Sequence, residues 1–211
     1  MMSKLTLVCA VLLAVLLPLR AQSVRERILM DEDWQFAFGN ASSPEKDFGC
    51  GTEYFNYLTK AASIHNEGPY SPKFDASKWS ATWKNVNLPH DWVVDLPYAP
   101  EASHSHGYKT VGYKYPETSV GWYRKTFTVP HEDHGKHLYL QFDGIFRDAR
   151  VWVNGFYLGH EPSGYATHTY DITEYLNYGE DNLITVRADA TLEEGWFYEG
   201  AGIYRLSLIH I

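Results

Sequence analysis

Apolar and polar positions alternate from Asp33 onward, with Trp34, Phe36 and Phe38 set against Gln35, Ala37 and Gly39. That is the period of a half-buried strand, closing in a Gly-Asn turn. Residues 40 to 83 keep no period and are rich in Ser, Gly, Asn and Pro; they read as an irregular insertion, about 40–80, packed through its aromatics. A short strand over Trp83 to Leu88 is stopped by Pro89, and His104 to Ser119 is a Gly-, Tyr- and His-rich loop. Regular alternation then resumes. Strands are predicted over Gly121 to Pro130, over His137 to Asp143, and over Ala149 to Val153, where Asn154-Gly155 is the dipeptide of a type I′ hairpin returning through Phe156 to Gly159. Tyr165 to Tyr170 and Asn182 to Asp189 complete the series, with Asp171 placed to cap a helical turn over Ile172 to Leu176. Seven or eight short strands without a long helical period predict an all-β fold, an antiparallel β-sandwich.

The first residues follow a different rule. Met1 to Lys4 give a short basic start and Leu5 to Leu19 an apolar run too short to span a bilayer comfortably, followed by Arg20-Ala21-Gln22-Ser23. This reads as a signal peptide over 1–21, cut after Ala21, which implies a periplasmic or secreted protein with no membrane segment after cleavage. An uncleaved anchor helix is the alternative. The remaining chain, 22–211, has the length of one domain and keeps one cysteine, Cys50, with no second cysteine to pair with.

Composition narrows the partners. A formal net charge of −8 gives no basic field for a nucleic-acid backbone, so nucleic acid is not expected. The aromatics are unusually many, with 7 Trp, 16 Tyr and 10 Phe, more than a small sandwich core consumes. Trp34, Trp122 and Trp152 fall on strands and are expected in the core.

Most motifs yield bland readings. His131, His134 and His137 lie between two strands after Pro130, where no helix presents them together, and read as a hairpin loop. His104-Ser105-His106 offers two imidazoles, which do not make a metal site. No metal ligands and no cofactor are assigned. The chain has no phosphate loop, no Gly-x-Ser-x-Gly elbow and no Cys/His nucleophile pair. What remains is the stretch Asp189 to Glu199, which mixes Asp189, Glu193, Glu194 and Glu199 with Trp196 and Tyr198. Sugars present apolar C–H faces beside hydroxyls, so their sites pair a flat ring with fixed polar groups. The competing reading is that Trp196 and Phe197 cap the sandwich edge and the acids are solvated.

Six stretches, in order, carry a resemblance: Asn87-Leu-Pro-His-Asp-Trp92, Gly121-Trp-Tyr-Arg-Lys-Thr-Phe127, Phe142-Asp-Gly-Ile-Phe-Arg147, Val151-Trp-Val-Asn-Gly155 with Leu158-Gly159, Gly164-Tyr165 leading to Tyr170-Asp171-Ile172-Thr173, and Gly195-Trp-Phe-Tyr-Glu-Gly-Ala-Gly-Ile-Tyr-Arg205. Together they resemble the N-terminal sugar-binding domain of glycoside hydrolase family 2, the β-galactosidase, β-glucuronidase and β-mannosidase group, and cover roughly residues 26 to 206. The detail is most similar to secreted β-galactosidases.

The resemblance implies a galactose-binding-like jelly roll, followed in the family by immunoglobulin-like and TIM-barrel domains. It also implies a retaining hydrolase whose two catalytic glutamates lie on the barrel, downstream of residue 211, so no catalytic residue is assigned here and the chain alone is expected to be inactive. A bound metal ion in the full-length enzyme is compatible with it. The carbohydrate partner would be a β-galactoside-like glycan. Asp189 matches the family aspartate that contacts the sugar, and His90 and Asp91 lie in the family's Pro-His-Asp-Trp turn, where a structural hydrogen-bonded turn is the plainer reading. Asp189, Trp196, Glu199, His90 and Asp91 are the candidate substrate-binding residues. A stand-alone carbohydrate-binding module, or the accessory domain of a β-glucuronidase or β-mannosidase, are the alternative functions.

Overall fold

The computed structural model describes residues 25–50, 83–195 and 198–211. The expected signal segment and most of the expected insertion fall outside them. In chain order the strands are β1 (Arg27–Leu29), β2 (Trp34–Phe38), β3 (Lys84–Val86), β4 (Val120–Thr128), β5 (Tyr139–Phe142), β6 (Ile145–Phe146), β7 (Ala149–Val153), β8 (Phe156–Glu161), β9 (His168–Asp171), β10 (Asp181–Asp189), β11 (Gly202–Ile203) and β12 (Ser207–His210). Only single 3₁₀ turns interrupt them among the described residues. A six-stranded sheet runs β3-β2-β4-β10-β7-β8, a four-stranded sheet β1-β12-β5-β9, and β6 pairs with β11. Every named pair is antiparallel. This is the β-sandwich that the alternation predicts.

Register explains the core. Phe36, Tyr123, Val186 and Val151 lie opposite one another across β2, β4, β10 and β7 and so share one face. They pack with Trp34, Leu140, Phe142 and Ile209 in the main hydrophobic cluster between the sheets. Trp34, without exposed surface, satisfies its indole N–H on the Met30 carbonyl at 2.6 Å. The Asn154-Gly155 turn has positive φ at both residues, 49° and 81°, as a type I′ turn requires.

The opposite face of the six-stranded sheet is also buried. Ala37, Trp122 and Trp152 point there with Phe48 and Cys50 in a second cluster, and the Trp122 and Trp152 rings stack with centroids 5.6 Å apart. Those two tryptophans are therefore core, as expected, but of a second layer built by the segment that follows β2. Gly121 lies on the other face, with Tyr123, and shows how tightly the main cluster is packed: a Cβ there would lie 2.5 Å from the Trp92 ring and 2.7 Å from that of Phe36. Gly121→Ala is expected to cost about 1–3 kcal/mol through overpacking. Thermal unfolding should register roughly 2–4 °C per kcal/mol, and an unchanged Tm would contradict this packing.

Candidate functional site

β2 and β10 end, and β4 and β7 begin, at the same end of the six-stranded sheet, since Phe38 pairs with Gly121 and Asp189 with Val120. Four connecting segments therefore gather there: 39–50 after β2, 87–119 before β4, 143–148 around β6, and 190–201 after β10. Of these, 87–119 carries His90 and Asp91 and 190–201 carries Glu199, while Asp189 is the last residue of β10 beside them.

The turn at 88–95 is built around Asp91. Its Oδ1 accepts from the Val93 amide at 3.0 Å and from the Ala201 amide at 2.9 Å, and its Oδ2 accepts from the Tyr198 hydroxyl at 2.8 Å. The first bond caps the 3₁₀ turn Trp92–Asp95. The other two tie that turn to the 198–201 segment. Burial, then the hydrogen bond to Asp91 and its charge, push the Tyr198 phenol well up. His90 places Nδ1 2.8 Å from the Tyr123 hydroxyl and packs edge-on against Phe36; burial lowers its pKa, with Asp95 and Asp91 opposing. His90 and Asp91 are thus engaged by the protein's own chain, as the structural-turn reading expects.

The loop at 103–108 is fastened to the same segment. The Ser105 hydroxyl donates to the Gly195 carbonyl at 2.9 Å, and the Glu199 amide to the Ser105 carbonyl at 2.8 Å. His106 is fully buried beside them; desolvation lowers its pKa, with the Glu199 charge first among the opposing influences. Glu199 Oε2 is buried without a hydrogen-bond partner. Glu193 accepts from the Tyr113 amide at 3.1 Å, and Glu194 lies 2.6 Å from an Arg147 guanidinium nitrogen. Glu193 and Glu194 thus each have a protein partner, although the Glu194 side chain stays 61% exposed in its ion pair. A shallow open depression of about 510 Å³ lies between Ser103, His104 and Ser105 on one side and Glu193, Glu194 and Gly195 on the other. Trp196 lies outside the described residues.

Asp189 ends β10. Its Oδ1 accepts from the Thr191 amide at 3.0 Å and from the Thr191 hydroxyl, and its Oδ2 lies 3.1 Å from Arg187 Nη2. A carboxylate offers about four acceptor positions, so one remains for an incoming hydroxyl. The side chain is 19% exposed, within reach of a ligand yet held. Behind it, Arg187 Nε donates to Asp47 Oδ2 at 2.9 Å, and Asp47 Oδ1 accepts from Trp122 Nε1 at 2.6 Å.

The structure therefore joins Asp91 to the Glu199 segment through Tyr198 and Ala201, while Asp189 belongs to a separate polar chain through Arg187. Sequence reasoning missed Arg187 and Asp47, and weighed His104-Ser105-His106 only as metal ligands, not as a loop fastened to the 195–199 segment. The one available signal was the alternation of β10, which sets Arg187 on the face of Asp189. Among the described residues no group of three or more His, Cys, Asp or Glu is arranged to hold a metal, and no helix is long and apolar enough to cross a membrane. A larger depression, about 800 Å³, lies on the four-stranded sheet near Arg27, Tyr139 and His210 and shares no lining residue with these loops.

A family model described as the glycosyl hydrolase 2 galactose-binding domain-like domain matches residues 73–201. A β-galactosidase of Bacteroides ovatus is 40% identical over 124 residues, covering 58% of this chain and 14% of that protein. A β-glucuronidase of Formosa agariphila is 32% identical over 143 residues, covering 62% of this chain and 14% of that protein. The crystal structure of a β-glycosidase from Bacteroides vulgatus superposes with a TM-score of 0.64 at 30% identity, covering 87% of this chain and 20% of that one. The chain thus spans 14% of the length of the two curated relatives.

Proposed function

Because the chain belongs to the glycosyl hydrolase 2 galactose-binding domain-like family, we propose that it serves as the sugar-binding accessory domain of a larger, secreted, β-galactosidase-like glycoside hydrolase. The reading assigns bond cleavage to two carboxylic acids of a downstream barrel, which a retaining mechanism needs about 5–5.5 Å apart. Glu193 and Glu194 are not that pair: one is held by the Tyr113 amide and the other by Arg147. This domain's part is to border the pocket. The observation that carries the reading is Asp189, an anchored and partly exposed carboxylate at the end of β10 with one acceptor position open.

Its chemistry is binding. An ionised acceptor forms hydrogen bonds to hydroxyls roughly twice as strong as neutral ones, and a group already fixed by Thr191 and Arg187 loses little freedom when the sugar arrives. Contacts away from the scissile bond orient the ring for attack. A glucuronide is the second substrate to test, because the Formosa agariphila relative is named a β-glucuronidase.

Two measurements test the proposal. A panel of nitrophenyl glycosides with the full-length gene product should show hydrolysis of the β-galactoside, or of the β-glucuronide under the second reading. In that protein Asp189→Ala should raise KM or lower kcat, reducing kcat/KM about 10-fold or more, the scale of losing a charged hydrogen bond. Normal kinetics from a folded variant would remove Asp189 from the pocket, and an encoding DNA without a downstream barrel would favour an independent binding module.

A further inference from the structure

Arg187 and Asp189 are two residues apart on β10 and so lie on one face of the strand. That face is covered by the segment after β2, and Arg187 is buried there, its side chain 7% exposed. Its guanidinium reaches two carboxylates: Nε to Asp47 Oδ2 at 2.9 Å and Nη2 to Asp189 Oδ2 at 3.1 Å. Asp47, 3% exposed on its side chain, is gripped in turn by Trp122 Nε1 at 2.6 Å and the Asn40 amide at 3.2 Å. Burial pushes the Asp47 carboxyl up, while Arg187 pulls it back toward the ionised form.

We propose that Asp47 is a positioning residue for Asp189, acting through Arg187. This rests on the sugar-contacting role proposed for Asp189. Two consequences of the geometry support it. A guanidinium is a rigid planar fork, so fixing Nε on Asp47 fixes the direction in which Nη2 is offered to Asp189. With Thr191 holding Oδ1, the Asp189 carboxylate then has one orientation. Charge is the second consequence. One cation shared by two carboxylates leaves the trio with a net negative charge, so Arg187 does not fully neutralise Asp189 and its acceptor strength toward a hydroxyl survives. The segment that carries Asp47 also supplies the second layer over Trp122, so the rim group and the covering segment are set by one network.

The experiment is a double-mutant cycle in the full-length protein, with the nitrophenyl glycoside it hydrolyses as probe. Asp47→Asn places an amide among three donors, the Trp122, Asn40 and Arg187 N–H groups, and removes the charge. It should lower kcat/KM about 10-fold, since a displacement of about 1 Å can cost as much as 10²-fold. The loss should fall on the same constant, KM or kcat, as for Asp189→Ala, and Asp47→Asn should cost almost nothing further in the Asp189→Ala background. A loss repeated in full in that background, or no loss from Asp47→Asn where Asp189→Ala is impaired, would overturn the proposal. Should Asp47→Asn fail to fold, the charge-free pair Asp47→Leu with Arg187→Met takes its place; a folded but fully active pair would overturn it equally. An unimpaired Asp189→Ala enzyme defeats the pocket role itself, and with it this inference, whatever the Asp47 variants do.

Discussion

Asp91→Ala is expected to destabilise the chain by about 3–5 kcal/mol, the largest loss foreseen for a single side chain at the rim. Three donors converge on that carboxylate: the Val93 amide, the Ala201 amide and the Tyr198 hydroxyl. Hydrogen bonds to a charged acceptor contribute about 1.5–3 kcal/mol each, and the abandoned donors keep their desolvation cost. Ala201 is 1% exposed, so water cannot readily replace the missing partner. The neighbouring Gly200 has φ of +61°, and a Cβ there would lie 2.5 Å from Asp91 Oδ2, so the segment is fitted around the carboxylate. Tyr198→Phe removes one of the three bonds and should cost about 1–2 kcal/mol. Urea titrations of both variants check the ratio. If Asp91 instead served the sugar alone, Asp91→Ala would depress activity of the full-length protein and leave the denaturation midpoint where it was.

The sequence made legible those parts whose signal is local. β2 appears at the predicted residues, and the β7–β8 hairpin follows from Asn154-Gly155, because alternation and turn chemistry are both written in neighbouring positions. β1, β6, β11 and β12 were not legible. β6 and β11 have two residues each and exist only through pairing with one another across the fold, and β12 gains its place from β1 and β5 on either side. The same division governs the site. Asp189 could be named because it ends the last alternating strand and matches a family motif. Asp47 could not, for it is one acid in an irregular segment, and its meaning comes from a partner 140 positions away. Alternation also misleads where both faces of a sheet are buried: Arg187 falls on what the period would call the water side, but the segment after β2 covers it.

Stability should fall steeply with acid before the carboxylates titrate. His90, His106 and His168 all have pKa values lowered from 6.5, in each case first by burial. The opposing charges are Asp95 and Asp91 at His90, Glu199 and Glu193 at His106, and Glu161 at His168. A folded pKa below the unfolded one means that, below pH 6.5, the unfolded chain takes up protons that the folded chain refuses. The stability is therefore complete above that pH and is lost as pH falls through 6.5 toward the folded values. Each histidine can contribute at most about 1.4 kcal/mol per pH unit, so the three set a ceiling of about 4 kcal/mol per unit. Asp47, raised by burial, works in the opposite direction at lower pH and should flatten the curve there. Denaturation midpoints across pH 8 to about 5.5 give the test, with His106→Gln and His168→Gln each removing a share of the slope. A level profile over that range would sink the idea. Since His90 and His106 stand on the loops at the candidate rim and His168 on β9, acid should open the rim from two points, so amide exchange at 90–108 should quicken ahead of exchange in β4 and β10.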